Sequence, residues 1–199
     1  MHVVVTEFIS LDGVVQAPGG PDEDTDGGFA HGGWSHPFFD PEVVGGAFAA
    51  GLERAEALLY GRRTYRTMAA AWPERAGDPF ADRLNSLRKY VVSDTLRDDE
   101  LSWVNTVRIP GAEALGKVRE LRAAGGGDLA VMGSPTLVRA LIGAGLVDEL
   151  RLVVMPVLLG GGKSVFPADG GRRTWELVSS ATAKSGAQVN VYRPAGQRA

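Results

Sequence analysis

The sequence predicts an α/β sandwich on a mostly parallel mixed sheet with an antiparallel C-terminal edge. Three observations carry this. Apolar strand segments alternate with amphipathic helical segments through the middle of the chain, the pattern of parallel strands covered by helices. The last two strand segments follow one another around a Lys184-Ser185-Gly186 turn, which makes them antiparallel neighbours. No repeat or second core interrupts the order, so residues 1–199 read as one domain, with a polar tail over 194–199 expected to fray.

His2 to Ser10 is rich in β-branched and aromatic residues and reads as a buried strand. From Asp12 to Pro41 the chain is loop-like, with glycine and proline clusters and the acidic run Asp22–Asp26. A loop this long inside one domain marks a functional segment. Asp40 as N-cap and Pro41 at the first helical position start a helix running to Glu56. Ala57–Tyr60 is a short strand, Gly61–Thr64 a turn, and a helix follows to about Ala71, stopped before Pro73. Lys89–Ser93 and Trp103–Ile109 are strands. Ala112–Ala124 is a helix ended by Gly125-Gly126-Gly127. Asp128–Met132 is a strand, and Ser134–Ala144 a helix with Ser134 as N-cap and Pro135 just inside. Glu149–Val157 is a long strand, and Trp175–Ala181 with Gln188–Tyr192 form the closing pair.

Composition narrows the function. The chain has no cysteine, which removes disulfides, thiol catalysis and thiolate metal sites and suits a reducing cytoplasm. With 21 Lys+Arg against 24 Asp+Glu, bulk electrostatic binding of nucleic acid is disfavoured. No apolar run is long enough for a membrane span, and no secretory signal opens the chain.

Three glycine or acidic segments imitate known motifs and fail on detail. Gly160-Gly161-Gly162-Lys163-Ser164 resembles the end of a phosphate-binding P-loop, but the first glycine of that motif falls on Val157, and Val165-Phe166-Pro167 is no helix start. Asp22 to Gly27 matches half an EF-hand loop, yet Gly33 stands where the bidentate glutamate belongs. Gly143-Ala144-Gly145 to Asp148 follows a helix rather than a first strand, so it reads as a helix end and not a dinucleotide fingerprint. No metal site is expected.

The stronger candidates lie just after strands, where ligands of such sheets sit. Gly61-Arg62-Arg63-Thr64-Tyr65 offers a helix N-terminus and forked cations for an anion. Val131 to Thr136 is another strand-to-helix junction, where Gly133 admits a ligand close to the backbone. Ser93 ends a third strand. Three junctions on one edge suggest an extended anionic ligand such as a dinucleotide. Asp12, in Ser10-Leu11-Asp12-Gly13, and Asp40 are the candidate acids, each with a plain alternative as turn or cap residue. His31 and His36 read as loop bystanders.

Gly145-Leu146-Val147-Asp148-Glu149-Leu150, followed by Pro156 to Gly162, resembles the C-terminal reductase domain of the riboflavin-biosynthesis deaminase/reductase. Ser10-Leu11-Asp12-Gly13 and Gly61 to Tyr65 are similar to the matching blocks of that domain and of dihydrofolate reductase, and the resemblance spans residues 2–193. It implies a stand-alone dihydrofolate-reductase-like three-layer sandwich with eight strands, NADPH as cofactor and commonly a homodimer. By resemblance, Arg62, Arg63, Thr64 and Ser93 hold the 2′-phosphate end, after Gly61. Gly133, Ser134, Pro135 and Thr136 lie along the pyrophosphate. Phe8, Ser10, Val15, Trp34 and Gly161 surround a heterocyclic substrate, with Asp40 or Asp12 assisting protonation. The folate enzymes carry Gly-Gly where this chain has Gly133-Ser134, and a shorter loop before the carboxylate that Asp40 approximates. Without cysteine the deaminase half has no zinc site.

The expected activity is therefore NADPH-dependent hydride transfer to a pteridine-like or aminopyrimidine heterocycle. The alternative is a nucleotide- or ligand-binding protein on the same fold without turnover; a reductase of small xenobiotics is a third option.

Overall fold

The computed structural model describes residues 1–75 and 77–196. The first strand, β1 (His2–Ser10), sends Val3, Val5 and Ile9 to one face and Phe8 to the other, the two-residue period of a strand buried on both sides. A long loop follows, containing only short 3-10 turns at Asp26–Gly28 and His36–Phe38. The expected helix from Pro41 to Glu56 is split. Asp40 caps a π-type turn, Pro41–Gly45, through Val43 N–H (2.8 Å), and α1 (Gly46–Arg54) continues from it. The helix stops early because Ala55 already pairs with Asp128 as part of β2 (Ala55–Gly61).

Next, α2 (Arg62–Ala71) starts straight from the strand, with no intervening turn. One helix was not anticipated, α3 (Pro79–Ser86), capped by Asp78, which accepts from Phe80 and Ala81 N–H. Then come β3 (Arg88–Val92) and β4 (Thr106–Ile109). The latter begins three residues later than expected. Asn105 sits at φ 61° and breaks the extended run, while Trp103 turns into the core and donates its indole N–H to Asn85. The expected helix 112–124 opens as a 3-10 turn, Gly111–Glu113, before α4 (Ala114–Ala123). It is followed by β5 (Asp128–Met132), α5 (Pro135–Gly143), β6 (Glu149–Met155), β7 (Trp175–Thr182) and β8 (Gln188–Pro194). Ala195 N–H still bonds Thr174 (2.9 Å), and residues 197–199 of the expected tail lie outside the described residues.

The sheet order is β4-β3-β2-β5-β1-β6-β8-β7. Strands β1 to β6 run parallel, and β8 and β7 close the sheet antiparallel. On one face α4 and α5 pack Val118, Leu121, Val138 and Leu141 against Val3, Val5, Leu59 and Val131. On the other, Leu52 and Leu84 from α1 and α3 meet Leu58, Tyr60 and Trp103. A third cluster, with Trp34, Val44, Val153 and Met155, lies under the long loop. Burying such side chains stabilises by about 1.5–3 kcal/mol each, so the carboxyl ends of β1, β2 and β5 are held in fixed register for the site. Lys89 is buried among these layers, but its ammonium donates to the carbonyls of Asn85, Leu87 and Val104 and is a structural tie.

Candidate active site

A cleft of about 1520 Å³ opens at the carboxyl ends of β1, β2 and β5. That exceeds the ~300–1,000 Å³ of ordinary small-ligand pockets and suits two molecules side by side. Parallel pairing of β2 with β5 sets the β2–α2 and β5–α5 junctions next to each other. Gly61, Arg62, Arg63 and Thr64 line one, and Gly133, Ser134, Pro135 and Thr136 line the other.

Ser134 does not cap α5 as expected. It sits at φ 64°, and its hydroxyl turns across the junction to accept from Gly61 N–H (2.9 Å) and to bond Thr64 Oγ1 (2.8 Å). A Cβ added to Gly61 would overlap that side chain, so glycine is required for the close approach. Gly133 is at φ 81°, where a side chain would be strained and would press on Thr64 at 3.2 Å. The Gly133–Ser134 peptide is trans. Neither α2 nor α5 has a side-chain cap, so their first-turn N–H groups face the cleft with the positive ends of two dipoles.

The two arginines part company. Arg63 pairs with Asp24 (2.6 Å) and with Asp26 of the long loop. Lys163 pairs with the same two carboxylates, at 2.5 and 2.8 Å. Together the Arg63 and Lys163 cations hold the Asp26 carboxyl down at about 2. Arg62 has no ion pair among the described residues and lines the cleft. Gln16 fixes the loop by donating to Asp24 and Asp26 carbonyls (both 3.0 Å) and accepting from Lys163 N–H (3.1 Å).

Aromatic side chains also line the cleft. Phe8 stacks on Phe48 with centroids 5.1 Å apart, Trp72 meets Phe80 at 5.1 Å, and Arg75 lies 4.7 Å over Trp72. These faces suit a flat ring. Phe8 and Val15 line the cleft, as does the buried Gln16.

Four expected contacts lie elsewhere. Ser93 is buried and accepts from Thr95 and Leu96 N–H, shaping the turn after β3. Ser10 donates to Asp12 (2.5 Å) and accepts from Val14 N–H. Trp34 packs under the loop and donates to Gln16 O (2.7 Å). Gly161 is exposed beyond the cleft, in a segment that no helix follows. The two candidate acids are also outside the lining. Asp12 accepts from Ser10 O–H and then from Gly160 and Leu159 N–H, bonds that hold its carboxyl below the ordinary range and make it an anchor for the glycine turn. Asp40 serves as a cap between Phe39 and Gly45, which do line the cleft.

Among the acids lining the cleft, which include Glu23, Asp24 and Asp26, the buried one is Glu7, which was not anticipated. The residue is 5% exposed, and Oε1 has no partner among the described residues. Burial first, then the Glu23 charge, push it up to about 8, against the Gly133 N–H. Burial likewise raises Glu23. The signal was present in the sequence: Glu7 takes the core-facing position between Val5 and Ile9.

No group of three or more potential ligands is placed to hold a metal ion among the described residues, and none of their helices is long and apolar enough to cross a membrane.

The family model of the RibD C-terminal domain matches residues 1–189. The uncharacterized protein YyaP of Bacillus subtilis is 27% identical over 198 residues, covering 96% of this chain and 94% of that one. A protein described as a riboflavin biosynthesis protein from Shewanella sp. PV-4 superposes with a TM-score of 0.74 at 20% identity, over 98% of this chain and 99% of that one. A pyrimidine reductase-like protein from Corynebacterium diphtheriae gives 0.68 at 14% identity, over 97% and 91%. Dihydrofolate reductase from Enterococcus faecalis, complexed with NADP(H) and RAB-propyl, gives 0.59 at 13%, over 98% and 96%. The fold is dihydrofolate-reductase-like, as the sequence implied.

Proposed function

The chain belongs to the RibD C-terminal domain family, and from that premise we propose that it is an NADPH-dependent reductase of a pteridine-like or aminopyrimidine heterocycle. The observation that carries this is the convergence of two uncapped helix N-termini on Gly133, with the Arg62 cation at one of them. That cradle fits a pyrophosphate, whose oxygens take backbone N–H groups, and a further phosphate, which takes a guanidinium. Gly61 and Gly133 let the two junctions approach closely, since a side chain at either would press on Ser134 or Thr64.

Bound NADPH supplies a hydride, two electrons with one hydrogen, to the carbon of a C=N bond whose nitrogen gains a proton. The chain's own residues do the positioning. Phe8, Phe48, Trp72 and Phe80 offer faces for the heterocycle. Gln16 and the Arg63–Asp24–Asp26–Lys163 cluster hold the long loop against the cleft and limit water. Asp40, next to the lining residue Phe39, passes the proton through water at the mouth. One observation favours the second reading, ligand binding without turnover: neither Asp12 nor Asp40 lines the cleft.

Fluorescence titration with NADPH and NADH tests the cofactor. Arg62→Ala is expected to weaken NADPH by about 10–100-fold, the worth of a charge-assisted phosphate contact, and NADH far less. Equal losses for both would remove Arg62 from the phosphate, and no binding of either would end the cofactor assignment. Cofactor absorbance followed over a panel of dihydropteridines and aminopyrimidines separates turnover from binding alone.

A further inference from the structure

We propose that Glu7, as a neutral carboxylic acid, is the group with which the cleft recognises an amide edge of its ligand, a C=O beside an N–H. The inference rests on the reading above, in that the cleft takes a cofactor and a heterocycle. Its own basis is the placement of Glu7. The side chain leaves β1 on the face of Val3, Val5 and Ile9, yet it lines the cleft beside Gly133. It is almost wholly buried, and Oε1 is unpartnered among the described residues. A buried polar atom without a partner is costly and rare in a finished fold. A ligand atom at the cleft removes that penalty.

The surroundings favour the neutral form. From the long loop the facing charge is Glu23, itself raised by burial and by the Asp24 charge, against the Gly19 and Gly20 N–H groups and His36. Of the cations lining the cleft, Arg63 and Lys163 pair with Asp24 and Asp26, and neither they nor Arg62 lower the Glu7 carboxyl. From the β5–α5 junction comes one backbone N–H, that of Gly133. On β6 the residue registered with Glu7 is Leu152, and on β5 Met132 stands beside Thr6. No cation faces the carboxyl from these elements, and burial with the Glu23 charge pushes it up to about 8.

A neutral carboxyl carries an O–H donor and a C=O acceptor side by side. Its complement is an amide edge: the O–H donates to the amide oxygen, and the amide N–H donates back. Two ligands of this cleft would carry such an edge, the nicotinamide carboxamide and the lactam of a pyrimidine or pteridine. Once ionised, Glu7 loses the donor.

The test is equilibrium binding by calorimetry between about pH 6 and pH 9, where the protonated form is lost above about 8. The probes are NADPH, 2′-phospho-ADP-ribose, which lacks nicotinamide, and uracil. They are titrated into the wild type, Glu7→Gln and Glu7→Leu, with thermal melts confirming the fold. The expected Kd rises up to ~tenfold per pH unit above the Glu7 titration in the wild type. It is flat in Glu7→Gln, whose amide keeps a donor and an acceptor, and weak at every pH in Glu7→Leu. A slope with NADPH and none with 2′-phospho-ADP-ribose assigns the edge to nicotinamide; a slope with uracil assigns it to the heterocycle. Flat binding of both NADPH and uracil overturns the proposal, and so does a slope that persists in Glu7→Gln, which would belong to Glu23. Absence of NADPH binding ends the cofactor reading alone, and the uracil profile then decides the role of Glu7.

Discussion

A carboxyl group in the place of a core aliphatic opposes folding, and at Glu7 the opposition depends on pH. The unfolded chain ionises this group near its ordinary 4.5, whereas the folded chain keeps it protonated to about 8. Between those values the unfolded state binds fewer protons, so stability falls as pH rises from 4.5 to 8 and levels off above. The shift corresponds to an upper bound of about 5 kcal/mol. Glu7→Leu should therefore be more stable than the wild type by roughly 2–5 kcal/mol at pH 8, a gap that shrinks towards pH 5. Urea unfolding at a series of pH values measures this, and an unchanged pH slope in the variant would show that Glu7 is not the group responsible. The position was legible in the sequence as a charge on the apolar face of a strand. Its consequence was not, because it depends on Glu23 and Gly133, 16 and 126 residues away in the chain.

At the scale of elements, the same local signal gave different results in different places. Asp40-Pro41 and Asp78-Pro79 are both cap-and-proline starts, and both structures form. Only the first was legible. The helix at Pro79–Ser86 buries just Ala81 and Leu84, too few apolar positions to show a helical period. Ser134-Pro135 is the third such pair, and there tertiary contact overrode local preference: the hydroxyl bonds Gly61 and Thr64, and the helix end is left open to the cleft. This contrast makes Asp40 separable into cap and proton relay. Asparagine caps as well as aspartate but cannot relay a proton. Asp40→Ala is expected to lose about 1 kcal/mol of stability and Asp40→Asn only a few tenths, while both reduce kcat by at least ~tenfold. If Asp40→Asn keeps full turnover in stopped-flow assays, Asp40 is a cap alone.

For the whole molecule, alternating strands and helices located the cleft, because parallel strands with crossover helices put every strand-to-helix junction on one edge. The path of the long loop was not legible, since side chains far apart in sequence set it. Asp24 and Asp26 meet Arg63 from the β2–α2 junction and Lys163 from the segment after β6. The sequence reading gave both arginines to a phosphate, and in the structure Arg63 holds the loop. Charge pairs at the rim of a cleft add little to global stability, yet they decide how often a segment opens locally. Lys163→Met should therefore leave the melting temperature nearly unchanged and speed amide exchange across residues 14–28 by about fivefold or more, with β1 and β5 unaffected. Added salt should do the same to the wild type. The Asp26 carboxyl lies below its unfolded value, so its contribution is complete above pH 3.8 and is lost as pH falls through about 2. The loop should then remain protected at pH 4. Exchange measured by mass spectrometry checks all three expectations, and loop protection insensitive to both Lys163→Met and salt would transfer the closing role to Gln16, whose hydrogen bonds to Asp24, Asp26 and Lys163 carry no net charge.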